Sequence, residues 1–228
     1  MKPSATIALA FALALAAVSS WGASLPPASH AYGFDGDLTD ELGGPAMESI
    51  HGTIHPSRLS FRQGGGALVD GAVSAETYSI EMRVNLSLTG SSSGYYRLLD
   101  FKDRASDNGL YEYFGTLVFY GGGEGTAQLF MPDTWTDVVL TRDGASARVV
   151  GYVNGEKQFT FTDTAGNAVF TLPDGKHTRA IFFQDDLSYP DEDCAGFVDH
   201  IRVFDTVLTD AQAVALAHGR LPPNVNLR

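Results

Sequence analysis

The segment WTDVVLTRDGASARVVGYVNGEKQFTFTD (135–163) decides the fold. Its first run, Trp135 to Thr141, is nearly continuous in apolar character at Val138, Val139 and Leu140, as a central strand covered on both faces would be. A turn and a second strand follow. Asn154-Gly155 then sits between two alternating runs, and this pair suits a type I′ hairpin because both central residues need positive φ. The outcome is a three-strand antiparallel meander.

A second stretch, AGFVDHIRVFDTVLTDAQAVAL (195–216), closes the chain. Phe197 to Phe204 reads as a strand. Thr209 can cap a helix whose third residue, Gln212, returns the bond, and Asp210 suits the positive end of the helix dipole. Gly219 is expected to stop this helix, with Val214 and Leu216 packing it down.

Working outward, Tyr78, Ile80, Met82, Val84 and Leu86 fall on one face of a strand and Ser79, Glu81, Arg83 and Asn85 on the other, a half-solvated pattern. TGSSSG (89–94) is a loop by composition. Further strands are expected at 95–102, 110–120, 126–131 and 180–184. GGG (64–66) and GGGEG (121–125) lack the Lys-Ser/Thr of a phosphate loop and read as turns. Short apolar runs punctuated by Gly and Pro make the chain all-β, an antiparallel β-sandwich with one short C-terminal helix.

Residues 1–23 have the layout of a signal peptide: Lys2, an uncharged apolar stretch from about Ile7 to Val18, then small residues. The expected product is secreted, extracellular or periplasmic. The rest suits one domain over 30–219 with a tail at 220–228. A net charge of -12 argues against nucleic acid and anionic membrane as partners. The single cysteine, Cys194, rules out an internal disulfide and has no neighbouring base in sequence to activate it.

No catalytic constellation emerges. The six His residues are scattered, with only His51 and His55 close together. The acidic loops carry more signal: Asp35, Asp37 and Asp40; Asp100, Asp103, Asp107 and Asn108; Asp185, Asp186, Asp191, Glu192 and Asp193. Gly-rich loops with several Asp can supply the six to eight oxygens that Ca²⁺ takes; the plain alternative is that Asp is a good turn residue. Sugars stack on aromatic rings and pair their hydroxyls with carboxylates and amides. Tyr95, Tyr96 and Tyr189 lie in or beside polar loops, with Asp103, Asn108 and Asp186 as candidate partners, whereas Tyr111, Tyr113 and Tyr120 read as sheet positions.

The Trp-led strand, the YVNG hairpin and the late FVDHIRVFDTVLT strand together resemble the laminin G-like, concanavalin A-like lectin/glucanase jelly rolls of the pentraxin type found in secreted bacterial proteins. RLLDFKDRASDNGLYEYFG (97–115) and YGFDGDLTDELGG (32–44) are similar to the bacterial branch, so the likeness spans roughly 30 to 218. It implies a two-sheet jelly roll that binds sugars, proteins or cell-surface components. It also implies that calcium is often present, either bracing the termini, which here would fall to Asp37 and Asp199, or lying at the loop rim, which here would fall to Asp185, Asp186 and Glu192. Relatives often carry a sorting tail; its absence here implies release. The glucanases on this jelly roll carry a motif resembling Glu-x-Asp-x-(x)-Glu on one strand, and the Glu81 strand offers Arg83 and Asn85 instead. The resulting expectation is a secreted, non-catalytic module that recognises a carbohydrate or other extracellular macromolecule through its loops, with calcium as the candidate cofactor. A structural matrix protein and a divergent glycoside hydrolase or lyase are the rivals.

Overall fold

A computed structural model describes residues 23–218, apart from 173, 176 and 189. The strands are β1 (His30–Tyr32), β2 (Glu48–His55), β3 (Arg58–Asp70), β4 (Tyr78–Leu86), β5 (Tyr95–Asp100), β6 (Gly109–Tyr113), β7 (Thr116–Phe119), β8 (Gly123–Glu124), β9 (Trp135–Asp143), β10 (Arg148–Val153), β11 (Glu156–Thr162), β12 (Arg179–Phe182) and β13 (Gly196–Phe204); one helix, α1 (Asp210–His218), follows. The stretch through residue 22 expected to be a signal peptide, Tyr189, Gly219 and the tail lie outside the described residues.

All pairings are antiparallel, in the order β11-β10-β9-β4-β13-β3-β12-β5-β6-β7-β8. The ladder folds over at β3. Leu59 to Phe61 pair with β13, whereas Ala67 to Asp70 pair with β12, so one long strand serves both layers. Between these halves lies Gly64-Gly65-Gly66. The sequence reading made it a turn, but it is a bend inside β3. Gly64 takes φ +70°, and a Cβ on Gly66 would stand 2.1 Å from the Phe182 carbonyl oxygen. Only glycine lets the backbone make this crossing. The two ends of the ladder meet again, with the Phe119 and Phe161 rings 5.0 Å apart.

Between the layers lies one core. Tyr78, Ile80, Met82, Val84 and Leu86 all enter it, as their alternation requires. Val138 and Leu140 of β9 join them, while Val139 enters a second cluster on the outer face with Val150, Tyr152, Phe204, Leu208, Ala213 and Leu216. β9 is thus covered on both faces. The hairpin between β10 and β11 has Asn154 at φ 51° and Gly155 at φ 80°, as a type I′ turn needs. Thr209 and Gln212 form the reciprocal cap: Thr209 N–H donates to Gln212 Oε1 at 2.9 Å and Gln212 N–H donates to Thr209 Oγ1 at 3.3 Å.

Several expectations change. The outer face of β4 is not half-solvated near its start, because Ser79 and Glu81 are buried; Ser79 donates to the Thr206 carbonyl in the connection to α1. The helix buries Ala213 with Leu216, three residues apart, and leaves Val214 exposed. The run 110–120 is two strands, broken at Phe114-Gly115 where both residues have positive φ. Residues 126–131 form no strand.

Candidate functional site

Strand alternation builds the site on β5, β6 and β7. Leu98, Leu110, Leu117 and Phe119 face the core. The opposite face receives Tyr95 and Arg97 from β5 and Tyr111 and Tyr113 from β6, in register as Tyr95 opposite Tyr113 and Arg97 opposite Tyr111. Tyr113 lies opposite Thr116 and Tyr111 opposite Val118, which extends the face across β7.

The tyrosines form a connected platform. Tyr95 and Tyr113 stack with ring centroids 3.9 Å apart. Tyr120 meets Tyr95 edge-on at 5.9 Å and Tyr111 at 6.4 Å. Phe114 stands edge-on to Tyr113 and is 65 % exposed, and Tyr120 is 43 % exposed. Rings held in this way present rigid, amphipathic surface at low entropic cost. Beside them, Thr116, Glu124, Gly125, Thr126 and Gln128 line an open depression of about 670 Å³. Burial raises the Tyr95 phenol, and Tyr113, Glu124, Tyr120 and Glu192 add to that rise.

Beneath this platform sits Arg97, with no exposed side-chain surface. Its Nε donates to Asp185 Oδ1 at 3.0 Å, Nη1 to Asp100 Oδ2 at 3.1 Å and Nη2 to Asp186 Oδ2 at 3.3 Å, while Asp107 lies 3.6 Å away. The carbonyls of Ser106, Asp107 and Asn108 accept further bonds, and the Tyr111 ring lies 4.5 Å from the guanidinium carbon. Burial raises the Asp185 carboxyl despite donors from the Glu192 N–H, Arg97 and the Asp186 N–H; Asp100 behaves likewise. Arg97 ties the β5–β6 connection to the loop after β12, and it does so against the Tyr111 ring.

The residues expected to bind ligand separate into three groups. Tyr95 is on the platform, and Asn108 braces it, its Nδ2 donating to the Tyr120 carbonyl at 3.2 Å. Tyr96, expected in a ligand loop, points into the core, because it is one residue out of phase with Tyr95. Asp103 is elsewhere, accepting from Arg179 at 3.1 Å. Tyr113 and Tyr120 read as sheet positions in the sequence; Tyr113 is one, on the outer face of β6, whereas Tyr120 falls in the turn just after β7. The signal was present in GLYEY, where Tyr111 and Tyr113 share a parity that Leu110 and Glu112 do not.

The residues expected to hold calcium do not form one donor set. Asp185 and Asp186 are turned onto Arg97, whose guanidinium occupies the position between their carboxylates that a cation would take. Glu192 accepts from Ser93 at 3.0 Å; burial and the neighbouring Asp185 push its carboxyl up to about 7 against the pull of that bond. Asp37 accepts from the Thr39 N–H and hydroxyl, which hold its carboxyl below the usual range. Asp199 pairs with His200 at 2.8 Å and lines a separate depression of about 240 Å³ with Asp35, Glu41 and Arg202. Among the described residues, no group of three or more His, Cys, Asp or Glu side chains is arranged to hold a metal ion. The donor chemistry therefore does not fit calcium at the expected residues.

Two further groups bear on function. Glu112, 1 % exposed, lies on the core side of β6 with Oε1 accepting from the Gly115 N–H and Oε2 without a partner; burial pushes its carboxyl up to about 7. Cys194 is buried, its Sγ donates to the Arg97 carbonyl, and burial raises the thiol well above its ordinary value.

A family model for the concanavalin A-like lectin/glucanases superfamily, of laminin G type, matches residues 62–214. No curated protein matches the chain. Among solved structures, the chain is similar to domain 4 of AbnA, a GH43 extracellular arabinanase from Geobacillus stearothermophilus solved with arabinotriose, at 19% identity and TM-score 0.61, covering 83% of this chain and 98% of that one. It is similar to Trypanosoma rangeli sialidase at 16% identity and TM-score 0.58, covering 82% of this chain and 32% of the sialidase. It is also similar to a structure of botulinum neurotoxin type C, whose cell entry depends on interaction with two ganglioside molecules, at 13% identity and TM-score 0.58, covering 83% of this chain and 50% of that one. At these identities the likeness is one of fold. No described helix is long and apolar enough to cross a membrane.

Proposed function

Because the chain belongs to the concanavalin A-like lectin/glucanase superfamily, we propose that its tyrosine face binds carbohydrate, as the recognition surface of a secreted, non-catalytic module. The observation that carries this reading is the platform itself: Tyr95, Tyr113 and Tyr120 on the solvent side of a sheet, beside an open depression lined by hydroxyl, carboxylate and amide groups from Thr116, Thr126, Glu124 and Gln128. Such a surface offers what a pyranose or furanose ring needs, an apolar ring for its C–H face and short polar groups for its hydroxyls.

The arabinanase domain solved with arabinotriose, of nearly the same length as this fold, supports the carbohydrate assignment. The Lys2-to-Val18 pattern supports export. Binding is favoured over hydrolysis because the strand carrying Glu81 offers Arg83 and Asn85 where the glucanases of this jelly roll carry further carboxylates.

The test is binding of the mature protein to a panel of soluble polysaccharides, followed by affinity electrophoresis of Tyr120→Ala and Tyr113→Ala. The exposed position of Tyr120 makes its truncation nearly neutral for folding. A loss of tenfold or more in both variants, with no change in reducing ends on prolonged incubation, supports the reading. Retardation unchanged by both substitutions would remove it, and release of reducing sugar would favour the hydrolase.

A further inference from the structure

We infer that the tyrosine face selects uncharged glycans and rejects acidic ones, an inference that rests on the carbohydrate-binding reading above. Recognition of a sialic acid or uronic acid carboxylate calls for an accessible cation or a set of free N–H donors at the surface. Among the described residues, the cation this face packs against a tyrosine ring is not accessible. Its guanidinium, Arg97, is buried, and Asp100, Asp107, Asp185 and Asp186 surround it. Four carboxylates against one cation leave the cluster under the rings short of positive charge.

A second guanidinium, Arg104, gives its Nε to the Asp185 carbonyl. It belongs to the loop end of the face: β5 runs from Tyr95 towards Asp100, and Arg104 follows Asp100. The platform end carries carboxylates. The charged groups acting on Tyr95 are Glu124 and Glu192, and Glu124 is the charged residue lining the adjoining depression. At about 8 Å, the Debye length at physiological ionic strength leaves Glu124 able to repel an anion docked on the rings. The net charge of -12 repels acidic polymers at longer range. Arg97 cannot be recruited by an incoming carboxylate, because moving it would break its bonds to the buried Asp100 and Asp185.

Hydroxyl groups meet none of these obstacles. Thr116, Thr126, Gln128 and the Glu124 carboxylate can all pair with them. The assignment is therefore to polyhydroxylated, carboxylate-free saccharides.

The experiment compares matched pairs on one protein: galactan against polygalacturonan, lactose against sialyllactose, and hydroxyethylcellulose against carboxymethylcellulose. Each is titrated at 20 mM and 500 mM NaCl with wild type, Tyr113→Ala and Glu124→Lys. The expected result is binding of at least one neutral member with a preference of tenfold or more over its acidic partner. That preference should shrink in Glu124→Lys and at high salt. Acidic glycan bound as tightly as its neutral partner, and lost in Tyr113→Ala, would overturn the selectivity while keeping the binding face. Absence of binding to every member, or binding that Tyr113→Ala leaves unchanged, removes the binding reading and the selectivity with it.

Discussion

Arg97 Nε and Asp185 Oδ1 lie 3.0 Å apart, and neither side chain is exposed. Eighty-eight residues separate them. The pair joins β5 to the loop after β12, so the charge that supports the tyrosine platform from below also holds the acidic loop in place. Truncating the cation, as in Arg97→Ala, removes the guanidinium that the buried Asp100 and Asp185 accept from. The expected cost is about 3–5 kcal/mol, read from urea unfolding. Asp185→Asn keeps the shape and loses less. A cost below about 1 kcal/mol for Arg97→Ala would mean that water reaches the cluster.

Glu112 sets a pH dependence. Its folded carboxyl is pushed up to about 7 by burial, against 4.5 for the ordinary group. The folded state therefore holds a proton that the unfolded state releases, and stability falls as pH rises from about 4.5 to about 7. Glu112→Gln removes this contribution and should raise stability at pH 8 by about 2 kcal/mol. Glu192 slopes in the same direction, so the variant reduces the slope without abolishing it. Equal wild-type and Glu112→Gln midpoints at pH 8, with a gap at pH 4, would contradict the sign.

His200 acts in a higher window. Burial alone would lower its imidazolium, but hydrogen bonds to Asp199 and to Glu81 (Nε2 to Oε1, 2.7 Å) outweigh that and raise it to about 9. Its stabilisation is complete below about 6.5 and is lost as pH rises through about 9. Chemical denaturation from pH 6 to 10 should therefore show a decline in wild type that His200→Gln lacks. NMR titration of the ring giving a midpoint at or below 6.5 would refute this.

The sheet crossing is brittle at one point. Gly66→Ala drives a Cβ into the Phe182 carbonyl, and neither backbone can yield without breaking the β3–β12 ladder. A loss of about 1–3 kcal/mol or more is expected from the overpacking. Gly71→Ala is the control: its φ of +72° carries strain, but nothing stands within 4 Å of the added methyl. Its cost should stay near 1–2 kcal/mol. Thermal midpoints of the two variants, measured side by side, test the ranking.

Much of the fold was legible because it is local. Alternation from Tyr78 to Leu86 sorts one face into the core, Asn154-Gly155 takes the positive φ values its hairpin demands, and Thr209 with Gln212 closes its own cap. Where reading failed, the deciding contact was remote or the break was subtle. The strand expected at 110–120 hid a two-residue turn, since Phe114 is not a turn-forming residue by composition and only Gly115 hinted at the break. The glycines at 64–66 read as a turn because no sequence rule distinguishes a turn from a strand passing between layers.

By itself the sequence determined the all-β class, the meander, the capped helix and the alternation that puts Tyr111 and Tyr113 on one face, because each depends on neighbours a few residues apart. The tertiary structure alone decided what the acids do. Aspartates at 100, 107, 185 and 186 look alike in sequence, whether bound for a metal, a ligand or solvent. Packing β12 against β5 brought them around Arg97, and the cost of a buried, unpaired charge made that pairing the governing one. The pairing of β5 with β6 and of β6 with β7 set Tyr95, Tyr113 and Tyr120 together on the same face.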